Sequence, residues 1–195
     1  MSRRSCVSRQ TNETRIAVTL DVDGTGQSSV RTGVGFLDHM LILWSKHGLF
    51  DLTLEADGDL HIDGHHTVED VGIVLGQAVA QALGSKEGIR RYGNAFVPMD
   101  ETLAQVCVDI SGRPFLHYEA AISAPQVGTF DTELTEEFLR AFAVQAGLTL
   151  HVRILYGRNA HHMIEAIFKA LGRALDEATC QDTRIKGVMS TKGSI

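Results

Sequence analysis

The sequence predicts an α+β fold made of two copies of one small unit, each a sheet with helices on one face. The motif HHxxE occurs at 65–69 and again, 96 positions later, at 161–165. The segment after each motif carries apolar residues at helical spacing, and segments elsewhere in each half alternate as strands do. Strands and helices in this order favour two small sheets, each covered by helices on one side.

Alternation and apolar periodicity place the elements of the first half in order. Ile16, Val18, Leu20 and Val22 share one face of an opening strand. A helix begins near Phe36, a strand lies within 45–54, and a second helix follows the first HHxxE motif. We read the half as strand, strand, helix, strand, helix and place it at residues 1–92.

The second half, at residues 93–195, repeats the order of the first. Val106, Val108 and Ile110 predict one strand, and the turn SGRP separates it from a strand over 115–120. A helix begins near Thr135, a strand lies around 148–154, and a final helix carries the second motif. The two motif helices share one apolar stripe: Val68, Val71, Leu75, Ala78, Val79 and Ala82 in the first, and Ile164, Ile167, Leu171, Ala174, Leu175 and Ala178 in the second. No low-complexity linker separates the halves, so we expect one compact unit.

Composition and charge exclude several classes of protein. The 195 residues are 44% hydrophobic and 22% charged, as in ordinary globular domains, and the net charge of −6 gives no general attraction to nucleic acid or anionic membranes. No apolar run reaches the roughly 18–20 residues of a membrane span, and none follows the early arginines as in a secretory signal. The scattered Cys6, Cys107 and Cys180 suit a reducing compartment, so we expect a cytoplasmic protein.

The duplicated motif predicts a metal site. Asp63 and Asn159 are expected to cap the two motif helices. In each helix the first histidine and the glutamate lie four residues apart and share a face, whereas the second histidine is turned by about 100°. Two motifs can therefore serve two ions from four histidines and two glutamates: His65, His66, Glu69, His161, His162 and Glu165.

Other histidines differ in what their positions predict. His39, at the start of the first helix, and His151, on the face of a strand opposite the core, are candidates to complete the metal ligands. A set of nitrogen and carboxylate ligands without thiolate suits Mn, Fe, Co or Zn, and six-coordinate sites with an open position suit Mn(II). We expect His47, His61 and His117 to be structural, with His47 a candidate to orient a neighbouring ligand.

A second set of residues suits a phosphate group. Arg90 and Arg91 lie between two glycines, Arg113 lies in the turn SGRP, and STKG near the C-terminus offers Ser190, Thr191 and Lys192. Guanidinium, ammonium and hydroxyl donors together favour a phosphate, although spacing alone does not bring them to one place. No GxxxxGK[ST] loop occurs, so the pattern argues against a nucleoside triphosphatase.

Seven motifs follow one another along nearly the full length of the chain: GFLDHM, HGLFDLTL, GDLHIDGHHTVEDVGIVLGQA, MDETLAQVCVDISGRP, GTFDTEL, TLHVRILYGRNAHHMIEAIFKALGRAL and STKG. In these motifs the chain resembles the imidazoleglycerol-phosphate dehydratase family, the monofunctional form without a fused phosphatase domain. The resemblance implies a duplicated ferredoxin-like, ribosomal S5 domain 2-like fold, and a hydro-lyase of histidine biosynthesis that removes water from an imidazole-glycerol phosphate. It also implies two Mn(II) ions per active site, other divalent metals being possible, with sites at subunit interfaces of a 24-mer built from trimers.

The resemblance also assigns roles to individual residues. It implies that Glu13 lies near the substrate as a candidate acid or base, and that the substrate phosphate is held by Arg91, Arg113, Ser190 and Lys192. We add Glu69 and Glu165, the glutamates of the two motifs, as further candidates for proton transfer. The resemblance implies that the metal ligands are His39, His65, His66, Glu69, His151, His161, His162 and Glu165. The chain departs from the family pattern at Gly64, where Asp is common, and at the apolar pair Ile42 and Leu43.

Two other functions share these features. A dinuclear metal-dependent hydrolase of phosphate esters would use the same ligands and the same basic residues, but it would release inorganic phosphate. A non-catalytic metal site that joins subunits would have closed coordination and would not be inhibited by triazoles that mimic the imidazole ring.

Overall fold

The computed structural model describes residues 3–195, which form two four-stranded sheets of the same topology. The strands of the first sheet, in spatial order, are β1 (Arg4–Gln10), β2 (Thr14–Asp21), β4 (Asp51–Gly58) and β3 (Ser28–Arg31). Those of the second are β5 (Tyr92–Met99), β6 (Thr102–Asp109), β10 (Thr149–Tyr156) and β7 (Phe115–Glu119). In each sheet the last pair is parallel and the others are antiparallel. A short hairpin, β8 (Gln126–Val127) and β9 (Phe130–Asp131), leads into the third helix.

Four helices lie between the sheets: α1 (Gly35–Gly48), α2 (His65–Leu83), α3 (Leu134–Ala146) and α4 (Ala160–Thr179). Helix α2 packs on the first sheet and α4 on the second, while α1 packs against α4 and α3 against α2. One continuous apolar core therefore joins both halves, and the outer face of each sheet is open in the single chain. The predicted α+β duplication, with helices on one face of each sheet, is confirmed. None of the helices in residues 3–195 has the length and hydropathy to cross a membrane.

The predicted order of elements was wrong at the start of each half, where three strands of the four-stranded sheet rather than two precede the first helix, and in the second half the β8–β9 hairpin precedes it as well. Strand β1 has the edge position and buries only Ser5, so its sequence lacks apolar alternation. Strand β5 buries the small residues Gly93, Ala95 and Val97 and exposes Tyr92 and Phe96, which reverses the pattern that marks a half-buried strand. Strand β3 has four residues and none of them is buried.

Two glycines, 96 positions apart, let helices from opposite halves meet backbone to backbone. A Cβ at Gly76 of α2 would lie 2.6 Å from the carbonyl oxygen of Phe142, and one at Gly172 of α4 would lie 2.5 Å from that of Trp44. A glycine inside a helix costs roughly 1 kcal/mol relative to alanine. The close helix crossings explain why both positions nevertheless hold glycine, and the α4–α1 crossing sets where His39 lies relative to α4.

We expect Gly172→Ala to lower the free energy of unfolding by about 2–3 kcal/mol, because the added methyl group forces α1 and α4 apart. Denaturant unfolding of the metal-free protein measures this change. Gly35→Ala is the control, since a Cβ there meets no atom within 4 Å and its stability should stay within about 0.5 kcal/mol of the parent. An alanine at 172 as stable as the parent would mean that the helices do not cross this closely.

Candidate functional site

Three side chains from α1 and α4 form a group of potential metal ligands. The Nε2 atoms of His39 and His161 lie 3.3 Å and 3.1 Å from Oε2 of Glu165. Within residues 3–195 this is the one group of three or more His, Cys, Asp or Glu side chains whose ligand atoms all lie within 4.8 Å of one another. Two imidazole nitrogens and a carboxylate oxygen at this spacing fit a divalent transition metal such as Mn(II), Fe(II) or Zn(II).

Glu165 is held as an anion beneath the two imidazole rings. Its side chain is 8% exposed, and its second oxygen, Oε1, accepts a hydrogen bond of 2.6 Å from Nζ of Lys169, one helical turn along α4. Burial raises the pKa of Glu165, but the hydrogen bond and charge of Lys169, together with the hydrogen bonds from His161 and His39, outweigh burial and leave the pKa below its ordinary value. Glu165 is therefore better suited to ligate a cation than to carry a proton near neutral pH.

The second histidine of the same motif has a different partner. Nδ1 of His162 lies 2.8 Å from Oε2 of Glu101 in the β5–β6 turn, and Oε1 of Glu101 accepts the backbone N–H groups of Arg158 and Asn159. The hydrogen bond from His162, followed by those from the backbone, holds the pKa of Glu101 far below its usual range, and Glu101 in turn raises the pKa of His162. The ring is thus fixed through Nδ1. Its Nε2 atom lies 3.8 Å from Oδ2 of Asp100, beyond hydrogen-bond distance, and is the nitrogen available to a metal.

The first motif lies at the start of α2 and shows a similar arrangement around its second histidine. Nδ1 of His66 lies 3.0 Å from Oδ2 of Asp59 and 4.0 Å from Oε2 of Glu13, and the Asp59 hydrogen bond raises the pKa of His66. The rings of His65 and His66 are perpendicular, at 90°, and those of His161 and His162 meet at 82°. Adjacent histidines therefore present their nitrogens in different directions, as helical rotation predicts.

The starts of the two motif helices differ, and one capping prediction was wrong. Asn159 is the N-cap of α4, and its side chain accepts the backbone N–H groups of His161 and His162. In α2 the N-cap is Gly64, which has no side chain to accept a hydrogen bond. The Asp63 carboxylate, one residue earlier, instead accepts the N–H of His65 at 2.8 Å. Gly64 has near-helical backbone angles and takes the N-cap position, so Asp63 lies one residue before the cap and accepts this hydrogen bond from there.

A single chain does not bring all the predicted ligands to one place. His151 lies on the exposed outer face of the second sheet, with its ring 5.2 Å from that of His117 and Cys107 as its partner across the strand pair. His65, His66, Glu69 and His162 likewise lie outside the group formed by His39, His161 and Glu165.

The predicted phosphate residues lie around Asp109 and the C-terminal segment. Arg91 donates two hydrogen bonds, of 2.6 Å and 3.1 Å, to the Asp109 carboxylate and one of 2.8 Å to the carbonyl of Met189. Arg113 extends to within 3.9 Å of the same carboxylate, and Ser190 lines an open groove with Arg91. Lys192, two residues further on, is exposed. Arg91 therefore anchors the C-terminal segment that carries two of the other predicted phosphate ligands.

Sequence reasoning missed four residues that organise this site: Asp59, Glu101, Asp109 and Lys169. Lys169 stands four residues after Glu165 in a predicted helix, and that spacing was a usable signal. The three carboxylates meet their partners only through the tertiary fold, so no local pattern marks them.

Comparison with known proteins shows the family of the chain. The family model described as imidazoleglycerol-phosphate dehydratase matches residues 32–175. The chain is 62% identical to the imidazoleglycerol-phosphate dehydratase of Acetivibrio thermocellus and 58% identical to that of Geobacillus kaustophilus, in both cases over all of either chain.

Solved structures of the same name have the same fold. The crystal structure of imidazoleglycerol-phosphate dehydratase from Staphylococcus aureus subsp. aureus N315 is 47% identical, with a TM-score of 0.81 over 91% of this chain and 100% of that chain. The enzyme from Pyrococcus furiosus, solved in complex with (S)-C348, is 38% identical, with a TM-score of 0.85 over 97% of this chain and 100% of that chain. Both full-length identity and the family model thus lead to one conclusion: the chain belongs to the imidazoleglycerol-phosphate dehydratase family.

Proposed function

We propose that the chain catalyses the reaction named by its family, the removal of water from D-erythro-imidazole-glycerol phosphate to give imidazole-acetol phosphate in histidine biosynthesis. The observation that carries this proposal is the group formed by His39, His161 and Glu165, found in a chain with full-length relatives of that name. The three cysteines are free, which is consistent with a cytoplasmic enzyme.

The proposal includes two Mn(II) ions per active site, held by the two HHxxE motifs with His39 and His151. Bound to ring nitrogens, a divalent cation would favour the deprotonated form of an imidazole and so make loss of a hydroxyl from the adjacent carbon easier. Glu165 would supply a fixed negative charge to the cation, and His39 and His161 would ligate it through their Nε2 atoms, which both lie close to Oε2 of Glu165. The exposed edges of these two imidazoles leave room for a substrate ring, since 46% and 41% of the side-chain surfaces are accessible.

Other polar and charged residues bind the phosphate and transfer protons. Arg91, Arg113, Ser190 and Lys192 hold the phosphate, so that binding energy remote from the reacting carbons orients the imidazole ring. Glu13 and Glu69 are the candidates for proton transfer. Glu13 is the more exposed of the two, because it lies in the β1–β2 turn with 54% of its side chain exposed, whereas Glu69 lies half-buried in α2.

Self-association completes the proposed site. In one chain His151 lies on an outer sheet face, apart from the α1–α4 ligands, so a second copy is needed to bring the predicted ligands together. The outer face of the second sheet also exposes Tyr92, Phe96 and Phe115, which are large apolar side chains suited to an interface. We propose sites at subunit interfaces and, by similarity to the family, a 24-mer built from trimers.

If metal joins subunits, its removal should change the size of the assembly. We expect treatment with a chelator to shift the protein on a sizing column from the large assembly toward trimers, and added Mn²⁺ to restore the original size. Metal analysis of the same fractions provides the control. An unchanged size after complete metal removal would contradict metal-dependent assembly.

The identity of the product tests the proposed reaction. With D-erythro-imidazole-glycerol phosphate as substrate, we expect an enolisable ketone to form while the phosphate ester stays intact, measured by absorbance of the enolate in alkali and by phosphorus NMR. Release of inorganic phosphate would instead favour the hydrolase. No turnover, together with full coordination and no effect of triazoles, would favour a purely structural metal.

A further inference from the structure

The second histidine of each HHxxE motif is held at Nδ1 by a carboxylate, but the two carboxylates come from different parts of the repeat. Asp59, just after β4, faces His66, whereas Glu101, in the β5–β6 turn, faces His162. His66 and His162 are equivalent in the duplication, being 96 positions apart. Their partners are not equivalent, so the same hydrogen bond is made in two ways.

Strand register identifies the true counterpart of Glu101, and it is Glu13. Arg4 pairs with Asp21 in the first sheet, and Tyr92 pairs with Asp109 in the second, so the two hairpins are equivalent at an offset of 88 positions. At that offset Thr14 corresponds to Thr102 and Glu13 corresponds to Glu101. Each glutamate lies near Nδ1 of the second histidine in its own half, at 4.0 Å for Glu13 and 2.8 Å for Glu101.

The counterpart of Asp59 explains why only one glutamate makes the bond. Gly58 and Gly157 are equivalent, because an added Cβ would meet matching neighbours at both. At Gly58 it would collide with Thr67 of α2 and contact Thr14, the first residue of β2. At Gly157 it would collide with Met163 of α4 and with Thr102, the first residue of β6. Asp59 follows Gly58, whereas Arg158 follows Gly157 and offers no carboxylate. In the second half Glu101 must therefore hold His162 itself, and it also accepts the N–H of Arg158.

A second observation supports a positioning role for Asp59. Its Oδ1 atom is buried and has no hydrogen-bond partner within residues 3–195. An unpartnered buried carboxylate oxygen is unfavourable, so packing alone gives no reason to keep Asp at this position. Its hydrogen bond to His66 supplies one.

We infer that Asp59 and Glu101 are positioning residues that fix His66 and His162 with hydrogen on Nδ1 and a free Nε2, and that Asp59, by holding His66, releases Glu13 to transfer protons. The inference rests on the proposed function, since it concerns ligands to the proposed metal. The equivalent glutamates of the two halves then have different roles. Glu101 in the second half orients a metal ligand, whereas in the first half Asp59 does so and Glu13 acts on the substrate.

Glu101→Gln tests the positioning role. The amide oxygen can still accept the N–H groups of Arg158 and Asn159, but the NH₂ group then faces His162 and requires Nδ1 to accept, which moves the ring hydrogen to Nε2. We expect Mn²⁺ affinity at one of the two ions, measured by electron paramagnetic resonance, to fall about 10- to 100-fold. The melting temperature of the metal-free protein should not change. Mn²⁺ affinity within twofold of the parent would overturn the positioning role of Glu101.

A double-mutant cycle tests the release of Glu13. In Asp59→Ala, Glu13 should move onto His66, so kcat at saturating Mn²⁺ should fall about 10²-fold, as in Glu13→Gln. Combining Asp59→Ala with Glu13→Gln should cost little more than either change alone. Losses of kcat that multiply, or an Asp59→Ala enzyme with kcat within twofold of the parent, would overturn the release of Glu13. Asp57→Asn, at an exposed position on β4, is the control for loss of one nearby charge.

The parent enzyme separates failure of this inference from failure of the proposed function. If the parent binds no Mn²⁺ and forms no ketone, the proposed function fails and the inference falls with it. If the parent does both and the variants match it, only the inference fails.

Discussion

Glu165→Gln is expected to remove metal from the α1–α4 ligand group and to lower kcat at least about 10³-fold, equivalent to roughly 4 kcal/mol of transition-state stabilisation. The carboxylate is the one negative ligand among His39, His161 and Glu165, and both imidazoles approach it to within 3.3 Å. A neutral amide keeps the shape of the side chain but supplies no charge to a divalent cation. It also leaves the Lys169 ammonium, 17% exposed, without its counterion beside the site.

Metal content measured by plasma mass spectrometry, together with kcat measured at several Mn²⁺ concentrations, checks this expectation. Glu136→Gln is the matched control, because Glu136 forms only a surface ion pair with Arg140 and such pairs contribute about 0–1 kcal/mol to stability. Both its metal content and its kcat should equal those of the parent. A Glu165→Gln enzyme with full metal and a kcat within tenfold of the parent would show that this group is not the metal site.

Arg91→Lys is expected to raise KM about 10- to 100-fold and to release the C-terminal segment. The Arg91 guanidinium is 10% exposed at its side chain and joins the Asp109 carboxylate to the Met189 carbonyl, with Asp109 raising the pKa of Arg91 above its already high value. Lysine cannot reproduce this forked geometry, and each lost hydrogen bond to a charged group is worth about 1.5–3 kcal/mol. Because Ser190 and Lys192 follow Met189, the phosphate site loses its order as well as the guanidinium group, although its positive charge stays.

Steady-state kinetics and limited proteolysis of residues 185–195 test these two effects together. Lys192→Ala is the comparison: its side chain makes no hydrogen bond within the described chain, so it should raise KM without changing protease sensitivity. An Arg91→Lys enzyme with the KM of the parent and a protected C-terminal segment would contradict the anchoring role.

The fold was predictable where the residues on one face of a strand or helix are apolar and those on the other face are polar. Strand β2 alternates Ile16, Val18 and Leu20 with exposed or half-buried neighbours, and α4 carries a long apolar stripe, so local pattern was sufficient. Strands β1 and β5 were not predictable in this way, because one buries only a serine and the other buries small residues beneath exposed aromatics. Their pairing with β2 and β6 depends on tertiary contacts, which the alternation of residues along a single strand does not reveal.

The candidate site was predictable to the extent that duplication makes a weak motif strong. A single HHxxE has many structural explanations, whereas two at equivalent positions singled out His161 and Glu165. The sequence could not show that the α4–α1 crossing at Gly172 brings His39 to them, nor that Asp59 and Glu101 hold the second histidines. Sequence spacing likewise failed to show that His151 lies apart from these ligands in a single chain.

Titration of the metal-free protein with Mn²⁺, while formation of imidazole-acetol phosphate is followed, shows whether turnover depends on the metal. We expect no product without metal and a rise to a plateau at two ions per active site, with the phosphate ester intact throughout. Undiminished product formation by protein that metal analysis finds free of metal would contradict metal-dependent dehydration by this chain.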